Sequence, residues 1–94
     1  MQIFFTSTFR RAVKKLHRQQ ISFLEQAIEA IRENPEIGVA KIGDLAGIRV
    51  YKFHIFQQLI LLAYNYDELS EKIILVSFSS HENFYDNLKN QIKN

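Results

Sequence analysis

The 94-residue chain has no cysteine, one proline and three glycines. Without cysteine it forms no disulfide, no thiolate metal site and no thiol nucleophile. Its longest apolar run covers residues 59–64, whereas a membrane-spanning helix needs about 20 such residues. No basic residue precedes the apolar stretch at residues 3–5, so the N-terminus does not look like a signal peptide. We therefore expect a cytoplasmic protein that does not enter a membrane.

The composition is typical of a soluble globular domain. Hydrophobic residues make up 47% and charged residues 23% of the chain, which excludes an intrinsically disordered protein. The length fits one domain over residues 1–94. A domain of this size buries only about two-thirds of its unfolded surface, so a partner can add to its stability. The net charge of +2 does not by itself indicate a nucleic-acid partner.

The first third of the chain is predicted to form a strand and a helical hairpin. Residues 2–6 are rich in aromatic and β-branched side chains, which favours a strand. Helical spacing of apolar residues follows over 9–16, where Ser7 or Thr8 can serve as the N-cap, and again over 21–31. The second helix ends before Pro35, because a residue that precedes proline avoids the helical region. The two helices are expected to meet near Gln19 and Gln20.

The rest of the chain is predicted to contain three strands and a closing helix. An irregular segment at 36–47 leads into an alternating strand at 48–56. A nearly continuous apolar run at 58–66 predicts a central strand that is covered on both faces, and a last strand follows at 72–78.

The closing helix is expected to begin at a capping box, Ser79-x-x-Glu82, and to carry apolar residues at Phe84, Leu88 and Ile92. Strands that follow one another through short turns usually form a meander. The expected fold is α+β: a small, mostly antiparallel sheet with the N-terminal helical hairpin on one face and a C-terminal helix.

The first predicted helix is strongly basic. No acidic residue interrupts its five cations, which are Arg10, Arg11, Lys14, Lys15 and Arg18. A helix face that is merely solvated needs charge of either sign, whereas a run of one sign also suits phosphate groups. Polyanion binding and plain solubility both remain open.

Two basic side chains share one face of the predicted alternating strand. Lys52 and His54 are two residues apart, and Tyr51, Phe53 and Ile55 point to the opposite face, which has the character of a core. A lysine and a histidine on an exposed sheet face are most often ordinary surface residues. Their significance depends on whether other functional groups lie on the same face.

His81 and Tyr85 are candidates for such groups. His81 lies at the junction of the last strand and the last helix, where catalytic residues are frequent, although it can also be a simple turn residue. Tyr85 is four residues further along, on the same face of the predicted helix, and a tyrosine at helical spacing is more often a packing residue.

Metal and cofactor motifs are lacking. The three histidines, His17, His54 and His81, share no ligand spacing, and no carboxylates cluster beside them. The sequence has no phosphate-binding loop, no nucleophile elbow and no dinucleotide fingerprint. We expect neither a metal nor another cofactor.

Short motifs in a fixed order connect the chain with a known family. They are Phe9 through Leu16, Asn34-Pro35 with Gly38, Leu45-Ala46-Gly47 leading into Arg49-Val50-Tyr51-Lys52, and Ser80-His81-Glu82-Asn83-Phe84-Tyr85 with Leu88-Lys89. In this order they resemble the RelE/ParE superfamily of bacterial toxins from type II toxin–antitoxin systems. The closing motif is similar to the end of RelE-type members rather than to that of gyrase-directed ParE members.

The resemblance implies an endonuclease that cleaves mRNA in the ribosomal decoding site without a metal. The ribose 2′-hydroxyl attacks the adjacent phosphate, and the 5′-oxygen leaves. His54 is then expected to accept the 2′ proton and His81 to protonate the leaving oxygen, while Lys52 and Arg49 stabilise the phosphate. Tyr85 corresponds to a C-terminal aromatic residue that can stack on a base or assist proton transfer.

One departure from the RelE pattern concerns the third strand of the sheet, which is predicted here at residues 58–66. Many RelE-like nucleases have an arginine at its start, whereas residues 57–61 here read Gln-Gln-Leu-Ile-Leu. Lysine does not reproduce the planar phosphate contact of arginine. Arg10 or Arg11 is a candidate substitute, and Lys14 is a further candidate for phosphate binding on the same helix.

Three functions are therefore open. The first is a ribosome-associated mRNA endonuclease, the second a ParE-like toxin that inhibits DNA gyrase by binding, and the third an inactive member that only binds its antitoxin. The expected partners are a cognate antitoxin, the ribosome and mRNA, and operator DNA is expected only through the antitoxin complex. The antitoxin should be a partly disordered chain that folds on the toxin and buries an apolar groove.

Overall fold

The computed structural model describes residues 1–82, 84–85 and 88–89. No helix in this part of the chain is long and apolar enough to cross a membrane. The elements, in chain order, are β1 (Gln2–Phe5), α1 (Ser7–Lys14), α2 (Arg18–Glu33), β2 (Val39–Ala40), β3 (Arg49–Ile55), β4 (Gln58–Asp67) and β5 (Lys72–Ser80), with a 3-10 turn at Gly43–Leu45 between β2 and β3.

The strands form one five-stranded mixed sheet in the order β1-β5-β4-β3-β2. The pairings of β2 with β3, β3 with β4 and β4 with β5 are antiparallel, and β1 is parallel to β5. The α+β class is confirmed, but the expected mostly antiparallel sheet is corrected to a mixed one. α1 and α2 follow β1 in the chain, and β5, the last strand among the described residues, lies beside β1. β2 was not predicted, because its two residues lie within the segment at 36–47 that lacks a strand pattern.

Each face of the sheet has its own hydrophobic cluster, and β4 contributes to both. Leu62 and Tyr64 belong to the first cluster, and Leu61 and Ala63 belong to the second, as strand alternation requires. The prediction of a central strand covered on both faces is therefore confirmed. The first cluster also contains side chains of α1 and α2, namely Phe9, Leu24 and Ile31. The second contains Leu45 and Val50 together with Phe84 and Leu88 near the C-terminus.

The helix boundaries differ from the prediction at two points. Thr6, not Ser7 or Thr8, caps α1: its Oγ1 accepts a hydrogen bond from the Phe9 amide at 3.0 Å and donates one to the Val76 carbonyl at 2.6 Å. The residues between α1 and α2 are 15–17, earlier than the predicted junction, because the Gln20 side chain accepts from the His17 amide at 2.7 Å and lies within the first turn of α2. The predicted end of α2 before Pro35 is confirmed.

The predicted capping box at Ser79 is wrong. Ser79 lies inside β5, where it is the partner of Leu61 in the register, and β5 continues to Ser80. Pairing with β4 therefore prevails over the local capping signal. Phe84, Tyr85, Leu88 and Lys89 are helical, and we call them the closing helical segment. The predicted apolar position at Ile92 lies outside the described residues.

A buried tyrosine fixes the loop that follows α2. The Tyr64 hydroxyl accepts a hydrogen bond from the Gly38 amide at 2.9 Å and donates one to the Pro35 carbonyl at 2.7 Å. A Cβ atom at Gly38 would lie 2.7 Å from the tyrosine ring, so this close approach requires glycine. Burial raises the pKa of the Tyr64 phenol, which keeps the hydroxyl protonated and able to donate.

We expect Tyr64→Phe to lower the free energy of unfolding by about 1–3 kcal/mol, because it leaves the buried Gly38 amide and Pro35 carbonyl without their partner. Urea unfolding followed by circular dichroism measures this loss. Tyr66→Phe, two residues along the same strand, is the control and should change stability by less than about 0.5 kcal/mol. Equal stability of both variants would show that the loop does not depend on the Tyr64 hydroxyl.

Candidate active site

Lys52 and His54 lie side by side on the face of β3 that points away from α1 and α2. Both side chains are exposed, whereas Tyr51 and Phe53 pack against the first cluster on the opposite face. The predicted alternation of this strand is therefore confirmed. In the register, Lys52 lies opposite Leu61 of β4. Both groups are thus presented to solvent from β3, a strand that is paired on both sides.

His81 lies at the same end of the sheet as His54. The last pair between β4 and β5 is Ile60 with Ser80, and the adjacent pair between β3 and β4 is His54 with Leu59. His81 is exposed and follows β5 directly. His54 lies on β3 and His81 directly follows β5, and the backbones of these two strands, which flank β4, are about 10 Å apart.

Tyr85 packs on this face through the second cluster. Its side chain is half-buried, and its ring lies edge-on to Phe84 with the centroids 5.0 Å apart. The ammonium group of Lys41 lies 5.4 Å from the Tyr85 ring centroid, a cation–π contact. Lys41 follows β2 directly, and its amide donates to the Ile48 carbonyl at 2.9 Å. Lys41 was not predicted, because it is a single lysine in a segment without a strand or helix pattern.

These side chains offer the groups needed for proton transfer and for binding an anion. An imidazole can accept or donate a proton near neutral pH, and an ammonium group can neutralise a phosphate oxygen. Tyr85 adds a ring and a hydroxyl. Within residues 1–82, 84–85 and 88–89, no three histidine or carboxylate side chains are grouped so that they could hold a metal ion.

Arg49 does not join Lys52. Its guanidinium donates to the Gly38 carbonyl at 2.8 Å and to the Glu36 carbonyl at 3.1 Å, so it fixes the loop after α2. Strand alternation turns residue 49 away from the face of residue 52. The geometry gives Arg49 a structural contact, and its expected role with Lys52 at a phosphate has no geometric support.

The basic residues of α1, together with Lys15 at its C-cap, divide between two separate surfaces. Arg10 and Lys14 line an apolar groove, and the Arg10 guanidinium lies 5.3 Å from the Phe5 ring centroid. Arg11 and Lys15 line a different cleft, beside the end of β5. α1 packs on the face of the sheet opposite Lys52 and His54. The expected single phosphate-binding face of Arg10, Arg11 and Lys14 is therefore split, since Arg11 does not share a surface with the other two.

The apolar groove lies between β1, α1 and α2 and has a volume of 560 Å³. Its rim carries three cations and one carboxylate: Arg10, Lys14, Arg32 and Glu25. Its apolar lining consists of Ile3, Phe5, Phe9, Val13, Ile21, Leu24, Ile28 and Leu75.

A family model described as a ParE-like toxin of type II bacterial toxin–antitoxin systems matches residues 3–89. The chain belongs to this family. The identification of a RelE/ParE superfamily toxin from the sequence motifs is therefore confirmed. No curated protein matches the sequence.

Solved structures of toxins from this superfamily share the fold. The intact RelBE toxin–antitoxin complex of E. coli matches with a TM-score of 0.70 and 16% identity, covering 86% of this chain and 96% of that one. The RelBE2 toxin–antitoxin complex of Mycobacterium tuberculosis matches with a TM-score of 0.70 and 22% identity, covering 85% of this chain and 96% of that one. A doubly substituted variant of E. coli toxin RelE in the free state matches with a TM-score of 0.74 and 14% identity, covering 98% of this chain and 95% of that one.

Membership of the family makes the chain a ParE-like toxin of a type II toxin–antitoxin system. The family model is named after ParE, and the structural neighbours include RelE and a YoeB/ParE toxin of Agrobacterium tumefaciens. The target of the toxin therefore has to be argued from the site itself.

Proposed function

We propose that this toxin is a metal-independent endonuclease that cleaves mRNA on the ribosome. The observation that carries the proposal is the exposed pair Lys52 and His54 on the sheet face opposite α1 and α2, with His81 at the same end of the sheet. A toxin that only binds a protein needs no pair of imidazoles beside an ammonium group.

In the proposed reaction, the ribose 2′-oxygen attacks the adjacent phosphorus while His54 accepts its proton. The bond from phosphorus to the 5′-oxygen breaks, and His81 donates a proton to that leaving oxygen. The products are a 2′,3′-cyclic phosphate and a 5′-hydroxyl, so atoms and charge balance without an external reagent. Lys52 neutralises the charge that develops on the phosphate oxygens.

Tyr85 has a supporting part in this proposal. Its half-buried ring is held between Phe84 and the Lys41 ammonium group, so its orientation is restricted. A restricted ring can stack on a base, and stacking is worth about 1–3 kcal/mol per base. The neighbouring nucleotide is thereby oriented for attack by its 2′-oxygen.

Inhibition of DNA gyrase by protein binding is the second candidate. It is favoured by the apolar start of β4 on the active-site face, where Leu59 is half-buried and the resemblance to RelE-type nucleases leads one to expect an arginine nearby. An apolar strand suits a protein–protein contact better than a phosphate contact.

Expression of the toxin alone in bacteria tests the two functions. We expect growth arrest with cleaved, ribosome-bound message. On purified ribosomes, we expect no cleavage of an RNA in which the 2′-hydroxyls are replaced by hydrogen, because the nucleophile is then absent. Primer extension on ribosome-bound message measures the cuts. Arrest with intact message and induced DNA damage would support gyrase inhibition, and normal growth would support an inactive member.

We further propose that the antitoxin occupies the apolar groove between β1, α1 and α2. Three of the four charged residues on its rim are cationic, so the occupant should combine apolar side chains with acidic ones. Within the described part of the chain, no strand pairs with the outer edge of β1, because β1 is the first strand in the sheet order. An extended partner segment can add to that edge while its apolar side chains enter the groove.

A further inference from the structure

A second concave surface lies beside the C-terminal end of β5. It is a cleft of 380 Å³ between α1 and the closing helical segment. The side chains that line it, among the described residues, are Thr8, Arg11, Ala12, Lys15, Ser77, Phe78, Ser79 and Phe84. Neither the proposed catalytic groups nor the apolar groove accounts for this cleft.

The lining of the cleft is cationic and rich in hydroxyl groups. Arg11 and Lys15 supply two positive charges, and no aspartate or glutamate is among the described lining residues. A 3.3 Å hydrogen bond from Nη2 of Arg11 to Oγ1 of Thr8 holds the guanidinium beside the cleft. Arginine, lysine and hydroxyl groups are the side chains that most often contact phosphate and sugar oxygens.

The cleft lies where the edge of β5 extends past β1. The pairing of β1 with β5 ends at Phe5 and Leu75, and Thr6 makes the last contacts, to the carbonyls of Leu75 and Val76. Ser77 and Ser79 lie beyond this point. Among the described residues, no strand therefore pairs with this part of β5 on the side of the cleft, next to the two cations.

The cleft is also in line with the proposed active site. Ser79 is the partner of Leu61, and Leu61 is the partner of Lys52, so the three residues form one row across β5, β4 and β3. Strands lie about 4.8 Å apart, which puts the Ser79 and Lys52 backbones about 10 Å apart. Leu61, the middle residue of the row, is fully buried in the second cluster, so an RNA strand that contacts both Lys52 and the cleft passes over that cluster.

We infer that the cleft of Arg11 and Lys15 binds the sugar–phosphate backbone of single-stranded RNA beside the scissile phosphate. The inference rests on the proposed nuclease function and extends it, since it gives the RNA a path from β3 to the edge of β5. It also assigns different ligands to neighbouring cations of α1: Arg11 and Lys15 contact RNA, whereas Arg10 and Lys14 face the antitoxin groove.

The division of α1 provides a matched pair of variants. R11Q/K15Q removes two charges from the cleft, and R10Q/K14Q removes two charges from the same helix on the side of the groove. Glutamine keeps much of the aliphatic stem, and all four residues are exposed, so both variants should fold. Both are made in the full chain with His54→Ala, which keeps the RNA intact during binding measurements.

Fluorescence anisotropy with a single-stranded RNA oligonucleotide of mixed sequence measures the affinity at several salt concentrations. We expect R11Q/K15Q to weaken binding roughly tenfold at low salt and to reduce the slope of log K against log salt by about 1.4, the value for two phosphate contacts on a single strand. R10Q/K14Q should bind within about twofold of the parent and keep its slope.

Equal losses in the two variants would overturn the inference, because α1 would then contribute only a general positive field. A loss of antitoxin affinity in R11Q/K15Q with unchanged RNA affinity would also overturn it and would make the edge of β5 a protein-binding site. The nuclease proposal can fail on its own. Intact message in arrested cells would reject cleavage, whereas a selective loss of RNA binding in R11Q/K15Q would still support RNA binding in the cleft.

Discussion

His54→Ala is expected to lower the rate of ribosome-dependent message cleavage by about 10²–10⁴-fold. This is the usual contribution of a side chain that transfers a proton in the transition state. His54 is exposed on β3, so its replacement leaves the hydrophobic clusters on both faces intact. Single-turnover cleavage of a defined message on purified ribosomes measures the rate, and the bound fraction is measured separately.

The control for this prediction is Gln57→Ala. Gln57 is exposed in the turn that joins β3 to β4, three residues from His54, and it offers no group for proton transfer. Its variant should cleave at the parent rate and melt at the same temperature as His54→Ala. A full cleavage rate in His54→Ala would remove this imidazole from the mechanism and favour the gyrase-binding alternative.

Variants at two further positions test the division of roles that accompanies this prediction. His81→Ala should reduce the cleavage rate by a similar factor if His81 protonates the leaving oxygen. Lys52→Ala should reduce the cleavage rate at every codon, because a phosphate contact carries no sequence information. Effects of groups that act in one transition state are not additive. The double variant H54A/H81A should therefore be only slightly slower than either single variant.

The local parts of the fold were accessible from the sequence. Alternation in β3 correctly assigned Tyr51 and Phe53 to one face and Lys52 and His54 to the other, because side chains in a strand point to opposite faces in turn. The end of α2 before Pro35 was equally predictable, since proline restricts the residue before it. Each of these features depends on covalent geometry within a few residues.

Features that depend on distant pairing were not accessible. Ser79 carries a local helix-capping signal, but its place in β5 is decided by Leu61, a residue of another strand. Thr6 caps α1 because its hydroxyl also reaches the Val76 carbonyl, 70 residues away in the chain. The parallel pairing of β1 with β5 has the same origin. No pattern within a short window contains this information.

The candidate site shows the same limit. The sequence could identify the run of cations on α1, but only the packing of that helix against the sheet separates Arg11 from Arg10 and Lys14. Lys41 was missed because its contact with the Tyr85 ring joins residues 44 positions apart and has no sequence motif. Arg49 could be assigned to the other face by alternation, but not to the carbonyls of Glu36 and Gly38.

Charge reversal on the rim of the apolar groove is expected to release the toxin from its antitoxin. R10E/K14E places two carboxylates where we propose that acidic antitoxin side chains bind, and like charges at an interface cost several kcal/mol. We expect the affinity of the complex to fall by at least about 100-fold. Calorimetric titration of the purified toxin with antitoxin measures this loss.

The same variant gives a result in cells that misfolding cannot imitate. Because Arg10 and Lys14 lie on the face of the sheet opposite Lys52 and His54, R10E/K14E should keep its cleavage activity, and cells should stop growing even when the antitoxin is co-expressed. R11E/K15E is the matched control in the calorimetric titration, where it should bind the antitoxin with the affinity of the parent. A misfolded toxin would be harmless, so growth arrest in the presence of antitoxin can only come from an active toxin that its partner no longer covers. Full neutralisation of R10E/K14E would place the antitoxin elsewhere on the molecule.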